Sequence, residues 1–262
     1  MKTLAVINGG GCRQIECAAG ILTAMDDARI QINEYRGSSA GAAVAALHAS
    51  GLSGSDLQEL IQQTPVEKLF KLCRWCQVKR MFGFTVDHLF DASGMYGILK
   101  ENMIERAGEI VRVAVTRLRD YKSFMINATP ATVMASAAIP EVFKPVIIGS
   151  ELFVDGGVKN MIPTPKITEI SNYDHIYLLL CNDDLDEKIP KNLVGRALRA
   201  FSNTMDRETT QIYEEGWGEL SNVTIIQPPP YKSSLLNWSE NHGLIEHAYN
   251  YAKLILQKER AL

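Results

Sequence analysis

Missing from the 262-residue sequence is any apolar run of the roughly 18 residues needed to cross a bilayer. The longest run, around Ile176–Cys181, is cut off by Asn182-Asp183-Asp184. A basic excess is missing as well. With 27 Lys and Arg against 30 Asp and Glu, and a net charge of −3, nucleic acid is not an expected partner. No internal repeat, low-complexity tract or linker rich in Gly, Ser or Pro divides the chain, so one domain over residues 1–262 is expected. The segment Met1–Ile7 begins like a signal peptide, but Asn8-Gly9-Gly10-Gly11 stops the apolar run far short of an h-region. Those residues read as a first strand, and the expected location is cytoplasmic. Cysteine is sparse and odd in number: of five, only Cys73 and Cys76 are close, and no second pair stands at zinc-site spacing. Separate thiols in a reducing compartment, without a metal, are expected there.

What is present is an ordinary globular composition, 46% hydrophobic and 22% charged. Short β-branched or aliphatic runs alternate with longer segments of helical period, the pattern of an α/β layer fold. Strands are expected at Leu4–Ile7, Val111–Thr116, Phe124–Ala128, Ile176–Leu180 and Val223–Ile226, with a hairpin pairing Val146–Ile148 and Leu152–Val154 across Gly149-Ser150. Helices are expected at about Gln14–Ala28, Ala42–Ser50, Asp56–Gln63, Gly94–Arg106, Thr132–Ala138, Asn192–Glu215 and Asn241–Glu259.

The sharpest local signal is Gly37-Ser38-Ser39-Ala40-Gly41, a G-x-S-x-G pentapeptide running straight into the small-residue stretch Ala42–Leu47. A turn of this kind strains the central residue, and glycines two positions to either side relieve the crowding and leave its Oγ exposed. Ser39 is the candidate nucleophile. The helix after it aims its positive dipole end at the same place. By composition, such a pentapeptide arises by chance roughly 0.08 times per chain, so its context has to decide.

Two further segments supply context. Gly9-Gly10-Gly11-Cys12-Arg13 follows the first strand and precedes a helix, where consecutive glycine N–H groups form a concave anion site with a basic side chain nearby. Gly9, Gly10, Gly11 and Arg13 are therefore oxyanion-hole candidates, and the G-x-x-x-x-G-K-[ST] nucleotide pattern is absent. Asp155-Gly156-Gly157 directly follows the strand Leu152-Phe153-Val154, which places a carboxylate at a strand end with little bulk around it.

Taken with Ala135-Ser136-Ala137-Ala138-Ile139-Pro140-Glu141-Val142-Phe143-Lys144-Pro145, these motifs resemble, in order and spacing, those of the patatin-like phospholipases. Gln14 departs from the pattern, standing where the family often carries another glycine. The resemblance implies a three-layer α/β/α fold with a central, mostly parallel sheet. It also implies hydrolysis of lipid acyl esters by a Ser39–Asp155 dyad, without histidine, metal or other cofactor. In that reading Asp155 activates Ser39, and the backbone at Gly10 and Gly11, with Arg13 close by, receives the oxyanion.

Three other readings stand beside this one. An α/β-hydrolase triad would recruit His175, His242 or His247, all placed after Asp155, but a nucleophile at position 39 leaves too few strands before it. A soluble carboxylesterase or thioesterase, or an idle binding module on the same fold, are the remaining alternatives. The expected partner is a lipid or acyl-ester substrate. Lys68–Phe84, which interleaves basic with aromatic and aliphatic residues, is the candidate for peripheral membrane contact. Asn182-Asp183-Asp184-Leu185-Asp186 lacks the glycine and distal glutamate of a calcium loop. Pro228-Pro229-Pro230-Tyr231 reads as a proline stop after a strand.

Overall fold

Alternation along the first strand sets the layering. In the computed structural model, which describes residues 1–74, 76, 88–181, 193–232 and 243–259, strand β1 (Thr3–Ile7) is buried throughout. Ala5 and Ile7 pack into one apolar cluster, and Leu4 and Val6 into another on the opposite face. A strand covered on both faces is the mark of a parallel sheet between helical layers.

Strands β2 (Glu34–Ser38), β3 (Lys71–Leu72), β4 (Phe90–Asp91), β5 (Val111–Arg117), β6 (Ser123–Asn127), β7 (Val146–Ile148), β8 (Glu151–Asp155), β9 (His175–Leu179) and β10 (Val223–Ile226) follow in chain order. The hydrogen-bonded path of the central sheet is β10-β9-β1-β2-β5-β8-β7, with β6 also on β5. Its first five strands run parallel; β6 and β8 lie antiparallel to β5, and β7 antiparallel to β8. The sheet is thus mostly parallel, as expected. β3 and β4 form a separate antiparallel pair.

Among the described residues the helices are α1 (Gly11–Asp27), α2 (Ala40–Ala49), α3 (Gly54–Gln63), α4 (Val66–Leu69), α5 (Ser93–Asn102), α6 (Ala107–Ile110), α7 (Pro130–Ser136), α8 (Leu193–Glu214) and α9 (Leu244–Glu259). One face of the sheet carries α1, α2 and α9, whose small and aliphatic residues join Ala5, Ile7, Tyr177 and Leu179 in the larger cluster. The other face buries Leu4, Val6, Ile176 and Leu178 against Met161, Ile162, Trp217, and Met205 and Ile212 of α8. The three-layer α/β/α architecture follows directly.

Helix starts are written in capping chemistry that periodicity does not report. Ser53 and Asp56 make a reciprocal capping box at α3, and Thr129 and Thr132 make one at α7 with Pro130 at its first position. These helices therefore begin two residues before their apolar pattern does. The helix expected at Gly94–Arg106 ends early, at Asn102 in α5, and the short α6 begins only beyond that segment, at Ala107. Strand β2 is not among the expected strands, because Glu34-Tyr35-Arg36-Gly37-Ser38 carries only one large apolar residue. It is a strand because its neighbours β1 and β5 demand one.

Cys73 and Cys76, expected as separate thiols, are joined in a disulfide, which corrects that expectation: they stand three residues apart just after β3, with their Cα atoms 5.2 Å apart. Of the Lys68–Phe84 segment, Lys68, Lys71, Leu72 and Arg74 are exposed, while residues 75 and 77–84 lie outside the described residues, as does Asn182–Asp186. No helix among the described residues is long and apolar enough to cross a membrane.

Candidate active site

Ser39 occupies the sharp turn between β2 and α2, with φ 52° and ψ −125°, a left-handed conformation for a residue that carries a Cβ. Such a conformation costs about 1–3 kcal/mol and persists only where the surroundings enforce it. Here they do. A Cβ on Gly37 would meet Ala42 Cα at 2.6 Å, and one on Gly41 would meet Asn8 O at 2.3 Å and Ile7 O at 2.4 Å. The two glycines let α2 start hard against the ends of β1 and β2, which is what forces the turn.

Strand β5 aligns the rest. One of its edges pairs with β6 over Arg112–Thr116. Its other edge is shared: β2 occupies it up to Ser38 opposite Ala114, and β8 takes over with Asp155 opposite Val115. β2 and β8 run in opposite senses, so their carboxyl ends meet on consecutive residues of one strand. That meeting brings residues 39 and 155 together despite a separation of 116 in sequence.

The Ser39 hydroxyl donates to Asp155 Oδ2 at 2.7 Å, and Gly157 N–H donates to Asp155 Oδ1 at 2.7 Å. Both side chains are buried. Burial pushes the Asp155 carboxyl up to about 7, against the two hydrogen bonds, which favour its charged form. The segment Ala135–Ala138 holds both backbones: Ser39 N–H donates to Ser136 Oγ at 2.9 Å, and Asp155 N–H donates to Ala138 O at 2.9 Å. Ser136 belongs to the stretch that carries the family resemblance, yet its sequence setting assigns it no role. Its signal is the N-cap pattern Thr129-Pro130, which fixes the rotation of α7 and so the direction of Ser136.

The glycine loop divides. Gly9 N–H donates to Met161 O at 3.1 Å and so is committed inside the fold. Gly9, expected among the oxyanion donors, thus has its N–H engaged by Met161, whereas Gly10 and Gly11 stand at the start of α1. Gly10, at φ 149°, caps α1, and Gly11 is the helix's first residue, where an N–H has no intrahelical acceptor. Gly10, Gly11, Ser39 and the buried Arg13 together border a recess of about 20 Å³. That is room for about one oxygen-sized occupant. On its other side Ser39, with Gly11 and Ala40, opens into a cavity of about 550 Å³ whose walls include Ile139, Phe143 and Met134. Glu208, half-buried on α8, accepts from Ile162 N–H at 2.8 Å and so ties down the loop that carries Met161.

The histidines of the triad alternative are elsewhere. His175, at the start of β9 and hence the opposite rim of the sheet, faces Thr224 Oγ1 at 2.8 Å and Glu259 Oε1 at 3.0 Å. His247 faces Pro229 O at 3.1 Å, and His242 lies outside the described residues. His88 borders the large cavity, beside Cys76.

An α/β sheet with a strained serine at a strand-to-helix turn, hydrogen-bonded to a buried carboxylate and flanked by two helix N-termini, has the local geometry of a nucleophile elbow. The family model of patatin-like phospholipases matches residues 5–166, and the chain belongs to that family. No curated protein sequence matches it. Among solved structures it is similar to VipD from Legionella pneumophila, with a TM-score of 0.55 and 14% identity, over 98% of this chain and 67% of that one. It is also similar to the type III effector ExoU (TM-score 0.47, 12% identity, 99% and 53%) and to the ExoU–SpcU complex from Pseudomonas aeruginosa (0.42, 16%, 100% and 52%). The chain thus spans about two thirds of the VipD chain and about half of the ExoU chains. At such identities the VipD likeness concerns the fold alone.

Proposed function

We propose that this chain is a serine acyl hydrolase that cleaves acyl esters of phospholipids and related lipids, with Ser39 as nucleophile and Asp155 as its base. The observation that carries the reading is the 2.7 Å hydrogen bond between Ser39 Oγ and a carboxylate whose burial raises it to about 7, with Ser39 lining a cavity of about 550 Å³. A carboxylate near its ordinary value is a poor acceptor for an alcohol proton, and one poised near neutrality is a much better one.

Asp155 Oδ2 takes the Ser39 proton as Oγ attacks the ester carbonyl carbon. The carbonyl oxygen, now negative, turns into the small recess toward the Gly10 and Gly11 N–H groups, with Arg13 and the helix dipoles adding positive potential. Collapse expels the alcohol, which leaves with the proton from Asp155, and the acyl group stays on Ser39. Water then repeats the sequence and frees the fatty acid. The acyl chain lies in the apolar cavity bordered by Ile139 and Phe143. No step uses a metal or a histidine.

Family membership supports lipid over other esters, and exposed Lys68, Lys71 and Arg74 close to the cavity wall suit an anionic surface. The test is hydrolysis of phosphatidylcholine and phosphatidylglycerol vesicles of graded acyl length beside soluble p-nitrophenyl esters. Long-chain release from vesicles, lost in Ser39→Ala, is expected. A strong preference for short soluble esters would replace the lipase reading by that of a carboxylesterase.

A further inference from the structure

We infer that Cys73, Cys76 and His88, in the reduced protein, form a zinc site that clips the neck of the β3–β4 hairpin at the rim of the acyl cavity. The three ligand atoms lie within 4.8 Å of one another. Cys76 Sγ and His88 Nε2 are 3.7 Å apart. With Zn–S of about 2.3 Å and Zn–N of about 2.0 Å, a tetrahedral S···N edge is about 3.5 Å, so that pair already has the right span. The site goes beyond the hydrolase reading and stands without it.

Backbone geometry supplies the second argument. The β3–β4 ladder pairs Lys71 with Asp91 and Leu72 with Phe90, and Cys73 N–H extends it by donating to Leu89 O at 2.8 Å. His88 therefore comes next to the cysteine turn through register alone. Within that turn Cys76 N–H donates to Cys73 Sγ at 3.2 Å. An amide aimed at that sulfur is an outer-shell hydrogen bond of the kind that orients a metal ligand. A disulfide needs neither this amide nor a third donor, whereas a metal site uses both.

The chemistry balances in two steps. A thiol reductant converts the Cys73–Cys76 disulfide to two thiols and is itself oxidised to a disulfide. Zn²⁺ then displaces the two thiol protons, binds His88 Nε2, and takes water as its fourth donor. Two thiolates and an imidazole select zinc over magnesium or calcium. A two-stranded hairpin is barely stable alone, so a clip at its neck decides how firmly it holds its place. That place matters, because Leu89 and Phe90 N–H both donate to Val142 O, next to Phe143 in the cavity wall.

The experiment uses the full chain, reduced and stripped by a chelator, then titrated with Zn²⁺ or Co²⁺. Uptake of about one equivalent is expected, with thiolate-to-cobalt charge-transfer absorption and the intense d–d bands of a tetrahedral site. Cys73→Ser/Cys76→Ser should lose both signals, and His88→Ala should bind more weakly with an altered cobalt spectrum. Zinc should also shield Cys73 and Cys76 of the unmutated chain from alkylation, read by peptide mass, which is independent of how the variants fold. Reduced protein that takes up no metal, or a cobalt spectrum unchanged in the double serine variant, overturns the site. Labelling of Ser39 by a small fluorophosphonate reports separately on the hydrolase, so failure of one reading is not mistaken for failure of the other.

Discussion

Ser136 Oγ accepts the backbone N–H of Ser39 at 2.9 Å, so a hydroxyl on α7 holds the peptide unit of the strained serine from outside its own turn. Both residues are buried, and removing the acceptor leaves a buried N–H unpaired, at a cost of about 1–3 kcal/mol. Ser136→Ala is expected to lower kcat about 10- to 100-fold on soluble esters, because small displacements of a nucleophile are costly. KM should barely move, and Ser136→Thr should restore part of the rate. A kcat within about twofold of the unmutated enzyme would show that the turn holds Ser39 unaided.

The elbow itself depends on Gly41. A methyl there would sit 2.3 Å from Asn8 O and 2.4 Å from Ile7 O, backbone atoms at the end of a buried strand that cannot move aside cheaply. Gly41→Ala should therefore destabilise the protein by about 1–3 kcal/mol or more, as forced overpacking does, and reduce Ser39 labelling in whatever folds. Gly97 in α5 is the control, since a methyl added there would find nothing within 4 Å. Gly97→Ala should raise the melting temperature slightly through helix propensity. Equal melting temperatures for the two variants would refute the argument.

In the proposed mechanism Glu208 is a positioning residue. Its carboxylate accepts Ile162 N–H at 2.8 Å, and burial raises its affinity for a proton. The same loop presents Met161 O to Gly9 N–H, which fixes the entry to Gly10 and Gly11. Glu208→Ala should cut kcat several-fold with a smaller change in KM, and Glu208→Gln, which keeps an acceptor at that spot, should recover most of it. If both variants lose only thermal stability and keep kcat, the loop does not shape the oxyanion site.

The candidate catalytic residues are legible in the sequence because their signal is local: the strained turn at Ser39 needs glycines at fixed offsets, and Asp155 is followed by two glycines, of which Gly156 passes where a Cβ would lie 2.3 Å from Ala114 O. The three-layer fold is legible for a similar reason, since buried parallel strands such as Ile176–Leu180 must be apolar on both faces. What is not legible depends on partners distant in sequence. Strand β2 is polar at Glu34 and Arg36 because those side chains reach Lys2, Tyr173 and Glu169 near the sheet's rim. The commitment of Gly9 to Met161, and the approach of His88 to Cys76, arise from loop packing and strand register, which no short window contains.

In the proposed mechanism Asp155 joins catalysis to stability, with opposite signs. Its carboxyl is raised to about 7 in the folded protein and returns to the ordinary carboxylate range on unfolding. Between those values the folded state binds the extra proton, so stability contributed by this group is present at low pH and is lost as pH rises toward 7 and above. The proposed mechanism needs the charged form, so kcat/KM should climb with pH through about 7 and then level off. Asp155→Asn removes the titration: its hydrolysis should fall by about 10²–10⁴, lose the ascending limb, and leave a fold more stable than the unmutated one at about pH 8. The gap in melting temperature between the two proteins should shrink steadily as the pH is lowered to about 5. Rates on a soluble ester and melting temperatures, both taken from about pH 5 to 9, check the two signs together. A flat pH–rate profile in the unmutated enzyme, or a variant that is destabilised at about pH 8, would remove Asp155 from the role of base.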